Sequence, residues 1–319
     1  MADRAERILD KLMRSVRLLC AAVLGGATVA ALMFAGTPLL AQDGAVALTL
    51  FRGESGTSSN LRLSSWGSGK AEETKDNILN GDVAIRVTTH GLYQGARLDF
   101  KNAVDLSAAL KNPHTYLRLM VRFSGQDAQQ SSFDPSSLQS SQKAASPFER
   151  MRFLLIMGDG SQHEMIRPVD LPPSEDVDAY VALNFPMATV LKTFGGKIPT
   201  GEGAKLKSLV ISGDQYQQFH IGEIRLLTDE TEINVSPLDD MIAFPNSELS
   251  FSGAAEGGAS TLKFSWDFDS SDGIQQDAVG RTVNYTFRKA GKYTVTLTVS
   301  DVDGLKKPQS VTLDLDVAQ

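Results

Sequence analysis

The sequence predicts an all-β protein: two tandem β-sandwiches behind an N-terminal leader helix. Three observations carry this. Apolar residues past position 45 recur with period two, as in Val83, Ile85 and Val87 or Tyr293, Val295, Leu297 and Val299. Gly and Asp clusters such as Gly158-Asp-Gly-Ser161 separate these runs, which is hairpin chemistry. Only two stretches, Asp105–Leu110 and Met187–Lys192, read as short helical turns.

Residues 1–17 carry Arg4, Arg7, Lys11, Arg14 and Arg17, and an uncharged apolar run follows from Leu18 to Ala41. A basic start, an apolar core and a small residue before Gln42-Asp43 have the form of a secretory signal. The run is also long enough to span a bilayer, so an uncleaved anchor over residues 18–41 is the alternative; Pro38 and Ala41 favour cleavage. Both readings place the rest of the chain outside the cytoplasm, as a periplasmic, cell-surface or secreted protein, with the membrane touched only through the uncleaved segment. Cys20 is the only cysteine, and Arg17-Leu18-Leu19 before it lacks the small residue a lipidated cysteine needs. Beyond residue 41 this excludes disulfides and thiolate metal sites. The net charge of −7, which becomes −9 without residues 1–41, argues against nucleic acid as the partner.

Residues 43–231 form the first predicted domain. Alternating strands are expected around Val46–Leu50, Val83–Val87, Leu117–Phe123, Phe153–Met157, His163–Arg167, Tyr180–Phe185, Ser208–Ser212 and Phe219–Leu227. Gly125 to Pro147 is polar and poor in apolar residues, and is expected to be a mobile inserted loop. Gly81–Val87, Tyr93–Phe100, Val104–Ser107, Tyr116–Phe123 and a closing Phe219–Leu226 succeed one another in an order that resembles the galactose-binding-like jelly roll. That fold is shared by many carbohydrate-binding modules, so the resemblance implies a carbohydrate or another cell-surface polymer as ligand. Gly222 stands where the family's closing strand often carries the first of two acids.

A pyranose offers an apolar face to aromatic rings and hydroxyls to fixed polar groups. Trp66, in Leu-Ser-Ser-Trp-Gly-Ser-Gly, and Tyr93, after Gly91, are the expected stacking rings. Their alternative role is to cap the core. Arg118 and Arg122 fall on the wet side of a strand, where they would bind hydroxyls or carboxylates or simply be solvated.

Catalytic patterns are missing. The four histidines stand singly without zinc spacing, Gly67-Ser-Gly-Lys70 lacks both the first glycine and the hydroxyl residue of a phosphate loop, and no G-x-S-x-G elbow occurs. Asp159, Ser161 and His163 lie within one hairpin and read as turn chemistry. A carboxylate pair acting on a glycan remains the enzyme alternative, because acids distant in the chain can meet.

Asn234–Asp240 is polar and contains Pro237, and is expected to link to a second domain at 232–319. There Trp266-Asp-Phe268, Tyr285-Thr-Phe287, Ala290-Gly291, Tyr293-Thr-Val-Thr-Leu-Thr-Val299 and Asp301-Val-Asp-Gly304 resemble the PKD domain, a small Ig-like sandwich. Trp266 is expected in the core. Asp267, Asp269 and Asp272 fall at positions one, three and six rather than the one, three and five of a calcium loop. They are weighed as a Ca²⁺ site against turn-stabilising Asx contacts; no other cofactor is expected. The combined expectation is a non-catalytic binding protein whose second domain is a spacer or contact module. An envelope structural or assembly role with protein partners is the alternative.

Overall fold

The computed structural model describes residues 46–123, 148–169, 179–269, 273 and 275–318. The leader, the loop expected around 125–147 and Asp272 lie outside the described residues.

The first sandwich contains β1 (Val46–Phe51), β2 (Leu61–Trp66), β3 (Lys70–Thr74), β4 (Ala84–His90), β5 (Gly95–Asp105), α1 (Ser107–Lys111), β6 (Thr115–Phe123), β7 (Arg150–Met157), β8 (Gln162–Pro168), β9 (Val181–Pro186), α2 (Met187–Thr193), β10 (Lys205–Gly213) and β11 (Tyr216–Thr228). One sheet runs β3-β4-β11-β6-β9, with β1 also on β11; the other runs β2-β5-β10-β7-β8. Every pairing is antiparallel, and neighbours in a sheet are mostly distant in sequence, as in a jelly roll. Alternation explains the core. Ile85, Val87, Leu98, Leu119, Val121, Phe153, Leu155, Leu209, Ile211, Phe219 and Ile221 point between the sheets and form one buried cluster.

The second sandwich contains β12 (Asn234–Val235), β13 (Met241–Ala243), β14 (Glu248–Ser252), β15 (Ala255–Glu256), β16 (Leu262–Asp267), β17 (Ala278–Val279), β18 (Thr282–Thr286), β19 (Gly291–Asp301) and β20 (Gln309–Val317). A five-stranded sheet β13-β20-β19-β16-β17 lies with the pairs β14-β18 and β12-β15. Trp266 is fully buried among Phe251, Phe268, Val295 and Leu297, and its indole N–H donates to the Gly280 carbonyl at 2.9 Å. The ring is a core element, as its alternation with Phe264 and Phe268 predicts.

The junction differs from the expected linker. Asn234–Val235 pairs with Ala255–Glu256, and Ile233 and Val235 are buried in the second core. The physical reason lies just upstream, where buried Asp229 accepts hydrogen bonds from the Thr231 and Ala259 amides and from Lys306 Nζ at 2.8 Å. Lys306 also donates to the Gly257 carbonyl at 2.8 Å. Gly258, at φ 60°, has no room for a Cβ, which would come within 2.1 Å of Asp229 Oδ2. Nearby, Arg167 grips Asp303 through two 2.6 Å bonds, Tyr116 Oη meets Ser260 Oγ at 3.1 Å, and Tyr116, Leu227 and Ala259 form a small apolar cluster. Asp301 shapes the loop behind these contacts by accepting from the Asp303 and Leu305 amides.

Candidate functional site

The registers of the β2-β5-β10-β7-β8 sheet arrange its outward side chains in rows. One row is Arg62, Asp99, Ser208, Ile156 and Gln162; the next is Ser64, Arg97, Val210, Leu154 and Glu164. The last begins at Trp66 opposite Gly95 and ends at Ser212, Arg152 and Ile166. Gly95 is glycine because a Cβ there would meet the Ile211 carbonyl oxygen at 2.1 Å and Ser212 Cβ at 2.8 Å. Backbone crowding at that point brings two turns together, since Gly69 packs directly on Gly95 and Gly67 lies against the Tyr93 carbonyl.

Those turns carry Trp66 and Tyr93. Trp66 closes strand β2 rather than sitting in a free loop, and it is half-buried with the Arg97 guanidinium 5.8 Å from its ring centre. Tyr93 is 62% exposed, in the turn between β4 and β5, with the Arg152 guanidinium 4.9 Å from its ring centre. The Ser212 hydroxyl holds this turn by donating to the Leu92 carbonyl.

Around the two rings the polar groups are fixed. Arg97 Nε donates to Asp99 Oδ1 at 2.8 Å, and the same oxygen takes the Ser208 hydroxyl at 2.6 Å. Ser64 Oγ reaches Asp99 Oδ2 at 3.3 Å. Burial alone would raise the Asp99 carboxyl, but the bonds from Ser208 and Arg97 outweigh it and hold the group below the usual aspartate range. Asp99 is thus an anion that organises its neighbours and is poorly suited to act as a general acid.

Arg152 is the residue that sequence reasoning passed over. Its side chain is only 6% exposed and pairs with Glu164 at 3.0 Å through Nη2. Its Nε and Nη1 are buried without a hydrogen-bond partner among the described residues. A buried donor lacking an acceptor costs about 1–3 kcal/mol, which marks the position as unusual. The signal available in the sequence was the unbroken apolar run Phe153–Met157, which tells of a strand covered on both faces.

The two arginines expected to join these rings lie on the opposite sheet. Arg118 and Arg122 are on the outer face of β6, paired with Arg225 and His220 of β11. That face is not wet at Arg118, which is 8% exposed and donates to Asn184 Oδ1 at 2.8 Å. Farther along the same face, Gly222 lies against Leu79 and Tyr180, and Asn77 meets His220 at 3.3 Å. Burial, with Arg86 close by, holds the His220 imidazole below its ordinary range and so neutral.

In the second sandwich, the Asp267 carboxylate is occupied by its own turn, accepting from the Asp269 amide at 3.0 Å and the Gln275 amide at 2.7 Å. Among the described residues no cluster of three or more His, Cys, Asp or Glu side chains has metal-binding geometry. In the β7–β8 turn Ser161 donates to Asp159 at 2.7 Å, and His163 stacks on Phe194 at 3.6 Å. Those contacts are turn and packing chemistry. Among the described residues no helix is long and apolar enough to cross a membrane.

No curated protein matches the chain. Among solved structures, a β-1,2-glucanase from Parabacteroides distasonis is similar over 86% of this chain and 39% of its own, at 10% identity and a TM-score of 0.34. The CBM22-1–GH10 modules of the Clostridium thermocellum endo-1,4-β-D-xylanase 10B are similar over 63% of this chain and 33% of theirs, at 7% identity and a TM-score of 0.31. Fibronectin(III)-like modules of Clostridium thermocellum CbhA are similar over 27% of this chain and 99% of theirs, at 14% identity and a TM-score of 0.22. The chain spans about two-fifths of the length of the glucanase. A match to the PKD domain family covers residues 235–317, the span of β12 to β20. Residues 235–317 of this all-β chain are a PKD domain.

Proposed function

We propose that this chain is a non-catalytic, extracytoplasmic glycan-binding protein, with residues 43–231 as the binding domain and the Trp66–Tyr93 end of the β2-β5-β10-β7-β8 sheet as its site, since Ser208, Val210 and Leu154 farther along that face are buried. The observation that carries the reading is the meeting of Trp66 and Tyr93 through touching turns at one end of a face whose polar groups are already fixed. Rings for stacking beside immobilised hydroxyls, guanidinia and carboxylates are what a pyranose requires. In this reading Asp99, which accepts from Arg97, Ser208 and Ser64, anchors its neighbours in place. The PKD domain, fixed at the Asp229–Lys306 junction, serves as a contact module held at a set orientation rather than as a free spacer.

The test is a glycan array and polysaccharide pull-down with the full chain, followed by Trp66→Ala on the best ligand. Losing a stacking anchor costs about 2 kcal/mol, or roughly thirtyfold in affinity. No retention of any glycan by folded protein, or an unchanged affinity in the variant, defeats the reading.

An assembly role is supported by a separate observation. Ile242 and Phe244, on and beside the edge strand β13, are 81% and 66% exposed. In-cell cross-linking that captures one defined protein through this edge, with no glycan retained, would favour assembly.

A further inference from the structure

Resting on the glycan reading, we propose that the face selects acidic saccharides, with the Arg152 guanidinium receiving a sugar carboxylate after Tyr93 swings aside. The starting point is the imbalance at Arg152. A guanidinium offers five N–H donors. Here Glu164 accepts from one nitrogen, Nη2, while Nε and Nη1 are buried without acceptors among the described residues. Glu164 is itself 40% exposed, so water screens much of its compensation.

The charged side chains of the registered rows sum to a small positive excess. Arg62, Arg97 and Arg152 oppose Asp99 and Glu164 in the registered rows, leaving one positive charge in excess on a chain whose net charge is −7. Asp99 is committed to Arg97, Ser208 and Ser64, so it does not compensate Arg152. A carboxylate brings a full negative charge and two acceptor oxygens that can take parallel bonds from a guanidinium, which a neutral hydroxyl cannot. The orphan donors therefore favour a uronate over a neutral hexose.

Access runs past Tyr93. Its ring lies against the guanidinium yet is mostly exposed, and it sits two residues after Gly91, whose φ of 123° belongs to a conformation open to glycine. A ring displaced from Arg152 would remain at the rim as a stacking surface for the same sugar. Trp66, across Gly95 and Ser212, would take the neighbouring residue of the polymer.

The experiment titrates the full chain by calorimetry with oligogalacturonate, oligoglucuronate and oligomannuronate, each beside its carboxyl-reduced neutral counterpart. Reduction removes the charge and leaves the rings and remaining hydroxyls. The expected result is at least one acid bound about tenfold more tightly than its reduced form. Arg152→Gln should abolish the preference, bringing the ratio of acid to reduced-form affinity to about one. Glu164→Gln, at an exposed position, removes the competing carboxylate and should strengthen acid binding several-fold. Equal affinity for acid and reduced forms overturns the proposal and leaves the glycan reading intact. An acid preference that survives Arg152→Gln also overturns it. Binding to neither class, with the array negative, overturns both.

Discussion

Replacing Lys306 with methionine removes one charge from the junction and nearly preserves the volume of the side chain. The Lys306 and Asp229 side chains are 5% and 3% exposed, so solvent does not replace the lost partner. Breaking a buried pair costs about 3–5 kcal/mol. Asp229 keeps the amide bonds from Thr231 and Ala259, which places the cost near ~3 kcal/mol, the lower end of that range. At about 2–4 °C per kcal/mol for a body of this size, the melting temperature should fall by roughly 6–12 °C. The chain's two tryptophans, Trp66 and Trp266, stand one in each sandwich, so a Trp66→Phe background reports the second sandwich alone. Urea unfolding followed by Trp266 fluorescence and by far-ultraviolet circular dichroism should give coincident curves with Lys306 present. In Lys306→Met the Trp266 curve should separate from the overall one. A loss below about 1 kcal/mol with coincident curves would refute the claim that this pair couples the sandwiches.

The same junction predicts acid sensitivity. Burial pushes the Asp229 carboxyl up, but the bonds from Lys306, Thr231 and Ala259 outweigh it and depress the group below its ordinary value. A depressed folded value stabilises the fold above the unfolded aspartate value of about 3.9 and loses that contribution as pH falls through the folded value. Denaturation free energies measured from neutral pH downward should therefore drop below about pH 4, and Asp229→Asn should flatten that segment. Gly95→Ala forces a Cβ to within 2.1 Å of the Ile211 carbonyl oxygen, pushing β5 from β10 at a cost of about 3 kcal/mol, the upper end for overpacking. Urea unfolding measures it, and glycan affinity should fall with stability because the Trp66 and Tyr93 turns rest on that glycine.

Strands with one dry face were plain in the sequence. Val83-Ala-Ile-Arg-Val and Tyr293-Thr-Val-Thr-Leu-Thr-Val alternate cleanly, and β4 and β19 follow them. The strands β2 and β3 were not read. Leu61-Arg-Leu-Ser-Ser-Trp has only two core residues before its polar end, and Lys70-Ala-Glu-Glu-Thr has almost no apolar alternation. Both lie at sheet edges, where one neighbour and less burial suffice. Trp66 and Tyr93 stood out as large rings in glycine-flanked turns. Arg152 did not, because its orphaned donors arise from a turn some sixty residues earlier and a partner twelve residues later. Arg118 was misjudged because alternation shows which way a side chain points, not what covers it. The Asp229–Lys306 bond joins residues 77 apart, a separation over which local pattern has no reach.

The strand at Asn234–Val235 has a consequence for motion in solution. Only a few residues separate the end of β11 from Ile233 in the second core, and they include Asp229, itself bonded to Ala259 and Lys306. With no slack between them, the two sandwiches should share one rotational correlation time, slower than either sandwich would have alone. A polymer bound along the first sandwich, as proposed above, would then hold the second at a fixed angle to its own axis.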